Sequence, residues 1–286
     1  MAVSVDAKDA RHAGAVSAGP PLRFALATAA TQLPAEEPLA IELNGQRVAV
    51  LMRTPGQEKA LALGYCLSEG LVRSVRDVAV IHHCGSGLDD QLLPLMPGAG
   101  GPLPAAGNRV RLLLAPVAEE PPAQTQVTRW VFSSCGGVDV ETLGQEIAVN
   151  REGPRMPREA LLQMVPAVVS AQEAYRASGG IHAAALFDHE GRLLALAEDV
   201  GRHNAVDKVI GLAALGGQLP GAVLICTGRA SSDVVMKAGR VGIPVVASFS
   251  SSTSLGVRLA EKAGMTLIGY LRRKRFSLYT HPERIV

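Results

Sequence analysis

Cys135 stands in the stretch FSSCGGVDVETLG, residues 132–144, and its neighbours suit a reactive thiol. It follows an apolar segment and two serines, and it precedes Gly136 and Gly137, which permit an open loop and leave the sulfur uncovered. A helix beginning near Asp139 would direct its N-terminal amides at this loop and favour the thiolate, although the Asp139 carboxylate opposes this unless it caps the helix. The alternative is a small buried cysteine that only packs.

The other three cysteines carry weaker signals. Cys66 lies in an apolar helical stripe and Cys226 ends an apolar strand, so both are predicted to be core residues. Cys84 follows His82 and His83, which makes a metal site conceivable, but three ligands on one short segment match no known closed geometry. The four cysteines are widely spaced and include no C-x-x-C pair, which fits a reducing cytosol rather than a disulfide framework.

A second polar set, EDVGRHNAVDK (198–208), surrounds a glycine where a strand meets a helix. The first amides of that helix could bind an anion with help from a neighbouring guanidinium. The candidate contacts are Arg202, His203 and Asn204. The alternative is a solvated helix start with ordinary capping.

A third set, TGRASSD (227–233), follows a buried strand. Open α/β sheets bind ligands beyond the carboxyl ends of their strands, and the small donors and single guanidinium here suit a phosphate or a nucleotide. The candidate contacts are Thr227, Gly228 and Arg229. Neither the P-loop pattern nor GxGxxG is present, so a capped helix alone would also explain this stretch.

A fourth set, YLRRKRF (270–276), places four consecutive cations between two apolar strand segments. The pattern predicts a basic turn. Such a turn could clamp a ligand with several phosphates, or it could be a solvated hairpin tip.

The elements that must position these residues follow from the hydrophobic pattern. Asn44-Gly45 in ELNGQRVAV (42–50) is the favoured two-residue turn of a hairpin. Farther along, strand-like apolar segments alternate with capped helical segments, which predicts a layered α/β fold. The expected helices are 57–69, 157–176 with a bend at Pro166, HNAVDKVIGLAAL, SSDVVMKAGRVG and TSLGVRLAEKAG. The expected strands are VAVIHH, RVRLLLA, TRWVF, the two halves of IHAAALFDHEGRLLALAED, GAVLICTG, IPVVASFS and MTLIGYL.

Composition narrows the class of protein. The chain has 286 residues, and 48% of them are hydrophobic although only 3% are aromatic, so Ala, Val and Leu must do most of the packing. The net charge of +2 does not suggest general nucleic-acid binding. No apolar run approaches the ~18 residues of a membrane span. The N-terminal stretch is charged throughout and is predicted to be a disordered tail, not a signal peptide.

These stretches together resemble the formate dehydrogenase accessory sulfurtransferase family of FdhD-type sulfur carrier proteins. The resemblance extends from about residue 37 to the C-terminus. EEPLAIELNGQRVAVLMRTPGQEKALALGYCLSEGLV is similar to the N-terminal part of the family. The stretches GGIHAAAL, EDVGRHNAVDK, TGRASSDVVMKAGRVGIPVVASFSSSTSLGVRLAEKAGMTLIGY and THPERI match its most distinctive segments.

The resemblance implies a cytidine-deaminase-like three-layer α/β/α domain with a smaller β-rich N-terminal region. We therefore expect a disordered tail over 1–21, a β-rich region with one helix and a Gly/Pro-rich loop over 22–126, and the α/β domain with the cysteine loop over 127–286. Deaminase chemistry is not implied, because the zinc signature H-x-E with P-C-x-x-C is missing. Three alanines follow His182, and Cys226 has no partner at the required spacing. No zinc and no other permanent cofactor are expected.

The activity implied by the resemblance is sulfur transfer, with Cys135 as the essential cysteine. A cysteine desulfurase would load this residue as a persulfide. The sulfur would then pass to a molybdenum (or tungsten) cofactor, Mo-bis(molybdopterin guanine dinucleotide), bound as a substrate and destined for formate dehydrogenase. The resemblance assigns contacts with this substrate to Tyr270, Leu271, Arg272, Arg273, Lys274 and Arg275. The two pyrophosphates of the substrate make the other candidates, at residues 202–204 and 227–229, suitable for its nucleotide ends. A cytoplasmic homodimer is also implied.

Two positions depart from the family pattern. Most members have C-x-x-C at the loop, whereas Val138 stands at the second position here. One thiolate is enough to hold a persulfide. The alternative function is a non-catalytic chaperone that binds and delivers the cofactor without moving sulfur. Arg273 and Lys274 stand where glycines are common, which raises the local positive charge.

Overall fold

The computed structural model describes residues 33–84, 108–116, 144, 147 and 155–286. Its described strands form one sheet of four strands and one of six. The strands are β1 (Glu37–Leu43), β2 (Gln46–Arg53), β3 (Val78–Cys84), β4 (Arg109–Leu114), β5 (His182–Phe187), β6 (Leu193–Asp199), β7 (Val223–Cys226), β8 (Val245–Ser248), β9 (Thr266–Gly269) and β10 (Ser277–Thr280). The helices are α1 (Glu58–Ser68), α2 (Arg158–Ala171), α3 (Glu173–Ser178), α4 (Arg202–Leu215), α5 (Ser232–Arg240) and α6 (Ser254–Ala263), with 3-10 turns at Val75–Asp77 and Pro282–Arg284. The predicted TRWVF strand and the loop around Cys135 lie outside the described residues.

The four-stranded sheet has the order β2-β1-β4-β3. The predicted hairpin is confirmed: β1 and β2 are antiparallel, and Asn44 (φ 49°) and Gly45 (φ 80°) form the left-handed turn between them. β4 runs parallel to β1 and antiparallel to β3. One face of this sheet, which includes Leu39, Ile41 and Leu112, packs into the same apolar core as α1.

The six-stranded sheet has the order β10-β9-β8-β7-β5-β6. β7, β8 and β9 are parallel, whereas β5, next to β7, is antiparallel to it, and β6 is antiparallel to β5. One edge therefore collects the ends of β6, β7, β8 and β9 together with the start of β5. We call this the carboxyl edge, and it is marked by Asp199, Cys226, Ser248, Gly269 and His182.

Helices cover both faces of this sheet, so the predicted three-layer α/β/α arrangement is confirmed. Leu224 and Cys226 of β7 belong to a core shared with α1, α4, α5 and α6. Val223 and Ile225, which alternate with them, belong to a second core shared with α2. The central strands are almost entirely apolar because both of their faces are buried.

The helix expected over 157–176 is two helices. It continues through the predicted bend at Pro166 to Ala171, and the break comes at Gln172. The reason is a cap: the Glu198 carboxylate accepts the backbone N–H groups of Ala174 and Tyr175, 2.8 Å from each, and so begins a new helix. This cap comes from a distant strand, so the local pattern could not reveal it.

α1 and α4 touch backbone to backbone. A Cβ atom on Gly64 would lie 1.8 Å from the Asp207 carbonyl oxygen, and one on Gly211 would lie 1.8 Å from the Ala60 carbonyl oxygen. The contact joins the N-terminal region to the α/β domain, and residues 32–286 form one compact unit. The boundary expected between residues 126 and 127 lies outside the described residues.

We predict that Gly211→Ala destabilises the protein by at least about 3 kcal/mol, because rigid backbone must move to admit the methyl group. Gly45→Ala is the matched control. Its Cβ would meet nothing within 4 Å, so only the left-handed backbone opposes it, at about 1 kcal/mol. Urea unfolding of both variants measures the difference. Equal losses in the two variants would contradict the α1–α4 contact.

Candidate functional site

The carboxyl edge brings together the candidate residues of three separate sequence stretches. The turn before α4, the loop after β7 and the turn after β9 all lie there, because their strands end or begin at that edge. The candidates placed at this edge are Arg202, His203, Asn204, Thr227, Gly228, Arg229, Tyr270, Leu271, Arg272, Arg273, Lys274 and Arg275. Cys135, the remaining candidate, lies outside the described residues.

The Arg202 side chain lies directly against Gly228. A Cβ atom on Gly228 would be 2.9 Å from Cδ and 3.0 Å from Cβ of Arg202. The glycine therefore leaves the space through which the arginine reaches the loop after β7. Arg202 Nε also donates to His203 Nε2 over 3.4 Å, which orients the two side chains together.

Positive charge dominates this part of the edge. Burial lowers the pKa of His203 to about 4, and the Arg202 and Lys237 cations add to the effect. Burial also lowers the pKa of His182, again helped by Arg202 and by Arg229. Both imidazoles are therefore neutral at pH 7, and the arginines remain the cations available to a ligand.

The Asp233 carboxyl lies close to His203, with Oδ2 3.7 Å from His203 Nε2. Burial raises the pKa of the Asp233 carboxyl, and Glu69 raises it further, although Lys237 opposes them. The carboxyl is thus easier to protonate than an exposed one.

Most of the charged residues in EDVGRHNAVDK are used inside the protein rather than at the edge. Asp199 is fully buried, and its carboxylate binds Lys208 Nζ at 2.8 Å, Thr54 N at 3.1 Å and Gly201 N at 2.8 Å. Lys208 Nζ also donates to the Thr54 carbonyl oxygen over 2.8 Å. These contacts fasten the end of β2 to the turn before α4.

Asn204 belongs to the same internal set. Its Nδ2 donates to the Met52 carbonyl oxygen over 2.6 Å and to Asp199 Oδ1 over 3.0 Å, and only 8% of the residue is exposed. Asp207 is directed away from the edge, where it binds Lys237 and Ser68. Arg202 and His203 are the members of the motif best placed to meet a ligand.

A serine-rich segment after β8 is part of the edge and was not among the predicted contacts. Its backbone joins the other two loops: Ala230 N donates to the Ser251 carbonyl oxygen over 3.1 Å, and Tyr270 N donates to the Ser250 carbonyl oxygen over 2.8 Å. The signal in the sequence was a run of small hydroxyl residues directly after a buried strand, SFSSSTS.

Two hydroxyls at this junction are buried without a hydrogen-bond partner. They are Oγ of Ser231, a residue only 9% exposed, and Oγ of Ser252, whose residue pairs with Ala230 in an isolated β-bridge. Ser231 is the N-cap residue of α5, as predicted, but its hydroxyl makes no capping bond. Buried polar atoms are normally paired, whereas these two hydroxyls have no partner among the described residues.

The basic turn is anchored at one end and open at the other. Leu271 is fully buried in the second core, and its N–H donates to the Ser248 carbonyl oxygen over 2.9 Å. Arg272 Nη1 donates to the Phe249 carbonyl oxygen. The cations of Arg273, Lys274 and Arg275 are exposed. The predicted contact Leu271 therefore keeps its side chain in the core and bonds both its N–H and its carbonyl oxygen within the protein, whereas the three exposed cations face solvent.

The three cysteines in the described part of the chain are all buried. Burial raises the thiol pKa to about 12 in both Cys66 and Cys226, and the nearby Asp207 carboxylate adds to the effect at Cys66. The prediction that these two are core residues is confirmed. Cys84 is also buried, with Sγ 3.6 Å from His82 Nδ1. Thiolates, the reactive form, are strongly disfavoured at Cys66 and Cys226.

The described residues contain neither a metal-binding group nor a helix that could cross a membrane. Within these ranges, no group of three or more His, Cys, Asp or Glu side chains is placed to hold a metal ion. No helix of the described part combines the length and the apolar character that crossing a membrane requires.

The fold of this chain is shared with a solved structure. A crystal structure described as a formate dehydrogenase accessory protein, from Desulfotalea psychrophila, matches with a TM-score of 0.65 and 24% identity, covering 89% of this chain and 90% of that one. At this identity the similarity establishes the fold alone.

The sequence comparison is more specific. The chain belongs to the FdhD/NarQ family, whose model matches residues 34–286. Similar proteins include the sulfur carrier protein FdhD of Mycobacterium bovis, with 38% identity over 260 residues, covering 88% of this chain and 91% of the relative. The protein of that name from Streptomyces coelicolor is 37% identical over 269 residues, covering 91% of each chain. The family resemblance seen in the sequence is therefore confirmed.

We predict that protonation of His203 destabilises the fold. Its folded pKa of about 4 lies below the ordinary value of 6.5, so the unfolded chain binds the proton first as the pH falls. Stability is therefore lost between pH 6.5 and about 4. His203→Gln should flatten this part of the stability–pH profile, as followed by urea unfolding.

His189→Gln is the matched control, because His189 is an exposed residue of the β5–β6 hairpin loop with 57% of its side chain accessible. It should leave the profile unchanged. An equal slope in wild type and His203→Gln would contradict the assignment.

Proposed function

We propose that this protein is a sulfur carrier that holds sulfane sulfur on Cys135 and delivers it for formate dehydrogenase. Family membership supports the proposal, because its relatives are named sulfur carrier proteins. Cys135 is chosen as the sulfur-bearing residue by elimination among the four cysteines. Cys66, Cys84 and Cys226 are all buried, so Cys135 is the cysteine left for the role.

Loading requires one thiolate. The Cys135 sulfur attacks the outer sulfur of a persulfide on a cysteine desulfurase, the S–S bond of the donor breaks, and the donor cysteine leaves as a thiolate. The product is a persulfide on Cys135, with no net oxidation or reduction. No second cysteine takes part in this exchange, so Val138 is compatible with it.

The proposed sulfur acceptor is Mo-bis(molybdopterin guanine dinucleotide), bound as a substrate at the carboxyl edge. Each of its two pyrophosphates needs cations and hydrogen-bond donors. The edge offers Arg202, Arg229 and the exposed cations of the basic turn, together with the unpartnered hydroxyls of Ser231 and Ser252. The α5 start also presents backbone amides there. This donor set fits a polyphosphate ligand.

The alternative function is a cofactor chaperone that binds and delivers the same substrate without moving sulfur. The replacement of the second loop cysteine by Val138 is the observation that favours it. Under either function we propose that the partners are the catalytic subunit of formate dehydrogenase and a second copy of this chain, in the cytoplasm. A desulfurase is a partner only of the carrier.

We predict that incubation with a cysteine desulfurase and cysteine adds one sulfur atom to the protein, and that Cys135→Ala abolishes the gain. Intact mass under non-reducing conditions measures the addition, and peptide mapping locates it. Cys66→Ala is the matched control, because its buried thiol should take no part and loading should persist.

Sulfur found on Cys66 or Cys84, or no sulfur at all, would reject the carrier role of Cys135. Formate dehydrogenase matured with Cys135→Ala then separates the two functions. A chaperone would still yield active enzyme, whereas a carrier would not.

We predict that Ser231→Ala weakens binding of guanosine diphosphate about fivefold while leaving stability unchanged, because the lost hydroxyl bonds a phosphate and no described protein group. Calorimetric titration measures the affinity, and urea unfolding measures the stability. Ser170→Ala, a serine on the exposed side of α2, is the control and should change neither affinity nor the folded state. A loss of stability with unchanged affinity would show instead that Ser231 is an ordinary helix cap.

A further inference from the structure

Ser248, the last residue of β8, ends an otherwise apolar strand with a hydroxyl group. The residue is completely buried, and it pairs with Cys226 at the end of β7. β8 lies between β7 and β9 in the sheet. Ser248 therefore stands in the middle of the carboxyl edge, next to the loops that follow all three parallel strands.

The Ser248 side chain joins two of these loops. Its Oγ donates to the Gly228 carbonyl oxygen over 2.6 Å, in the loop after β7. The same Oγ accepts the Ser250 N–H over 2.8 Å, in the serine-rich segment after β8. A serine hydroxyl has one proton to donate, and here the Gly228 carbonyl receives it.

The backbone around Ser248 reaches the third loop. The Ser248 carbonyl oxygen accepts the Leu271 N–H over 2.9 Å, and the Ser250 carbonyl oxygen accepts the Tyr270 N–H over 2.8 Å. The basic turn after β9 is therefore fastened to β8 and to the segment that the Ser248 hydroxyl holds.

The hydrogen bond from Ser248 to Gly228 fixes the surface on which the Arg202 side chain lies. A Cβ atom on Gly228 would be 2.9 Å from Cδ and 3.0 Å from Cβ of Arg202, so the aliphatic part of the arginine rests on the glycine. The Cys226 thiol is the other donor to the Gly228 carbonyl oxygen, at 3.3 Å. A thiol is a weak donor, so the hydroxyl is the stronger of the two constraints on Gly228.

We propose that Ser248 is a positioning residue for the nucleotide ligand: its hydroxyl holds Gly228 so that Arg202 is aligned with a phosphate. This role rests on the proposed function, which places a pyrophosphate of the substrate at Arg202. The Ser248 side chain has no exposed surface, so it acts through Gly228 and Arg202. Bonds between a guanidinium and a phosphate depend on geometry, so a small shift of Gly228 lowers the affinity.

The test measures binding of guanosine diphosphate to the full-length protein by calorimetric titration under reducing conditions. Ser248→Ala removes the donor to Gly228 and the acceptor for Ser250. It should weaken binding about tenfold, the loss expected when one charge-assisted bond is misaligned. Ser248→Cys keeps a weaker donor at the same place and should weaken binding about threefold. It also preserves the comparison if Ser248→Ala does not fold.

Thr280→Val is the matched control. Thr280 of β10 is only 2% exposed, and its Oγ1 donates to the Met265 carbonyl oxygen over 2.7 Å and accepts the Leu267 N–H over 2.9 Å. The substitution removes the same pair of bonds, but at the end of β9 opposite to the carboxyl edge. Urea unfolding should show similar losses of stability in Thr280→Val and Ser248→Ala. The affinity of Thr280→Val for guanosine diphosphate should equal that of the wild type.

A double variant tests the route through Arg202. Arg202→Ala should weaken binding by itself, because it removes a cation from the phosphate. Adding Ser248→Ala should cause little further loss, because the side chain that Ser248 positions is then absent. The combined loss should be well below the product of the two single losses.

The possible failures are distinguishable. If Ser248→Ala binds the nucleotide no more weakly than Thr280→Val, the role of Ser248 is overturned and the proposed function stands. A double variant whose loss equals the product of the single losses overturns the role in the same way. A wild type that does not bind guanosine diphosphate would remove the nucleotide site itself, and with it both the proposed substrate and the role of Ser248.

Discussion

The arrangement of the carboxyl edge depends on one buried carboxylate. Asp199 is fully excluded from water and faces Lys208, whose side chain is only 2% exposed. Burying an ion pair is costly unless the remaining oxygens and protons are also bonded. Here the carboxylate has three further donors, on Thr54, Gly201 and Asn204. The turn that carries Arg202 is therefore fixed against the end of β2.

Lys237 is a second buried cation whose charge is balanced by carboxylates. Lys237 of α5 donates to both oxygens of Asp207, to Glu69 and to Ser68, at 2.7 to 3.0 Å. Burial works against its charge, but the Asp207 and Glu69 carboxylates outweigh burial and raise the pKa of Lys237. The network ties α1, α4 and α5 together. Many of the charged side chains that stand out in the sequence therefore bind one another and hold helices in place. The cations that remain at the carboxyl edge are mainly arginines.

The elements of this fold could be predicted because their signals are local. Asn44-Gly45 fixes the first hairpin, and the apolar runs that become β7 and β8 indicate strands buried on both faces. The partner that each charged side chain binds in the folded protein could not be predicted. Asp199 is an acid two residues before a glycine in the sequence, and its donor on Thr54 lies 145 residues away. Asn204 was therefore expected at the ligand, whereas the structure bonds its amide to Met52 and Asp199.

The glycine contact between α1 and α4 also bears on the order in which the chain is made. Ser68, at the end of α1, and its partner Asp207, in α4, are 139 residues apart. At ribosomal rates of ~5–20 residues per second, α1 emerges on the order of ten seconds before the helix it packs against. During that interval the surface of α1 around Gly64, which packs on α4, lacks its partner. The first half of the chain therefore completes its core only once α4 has left the ribosome.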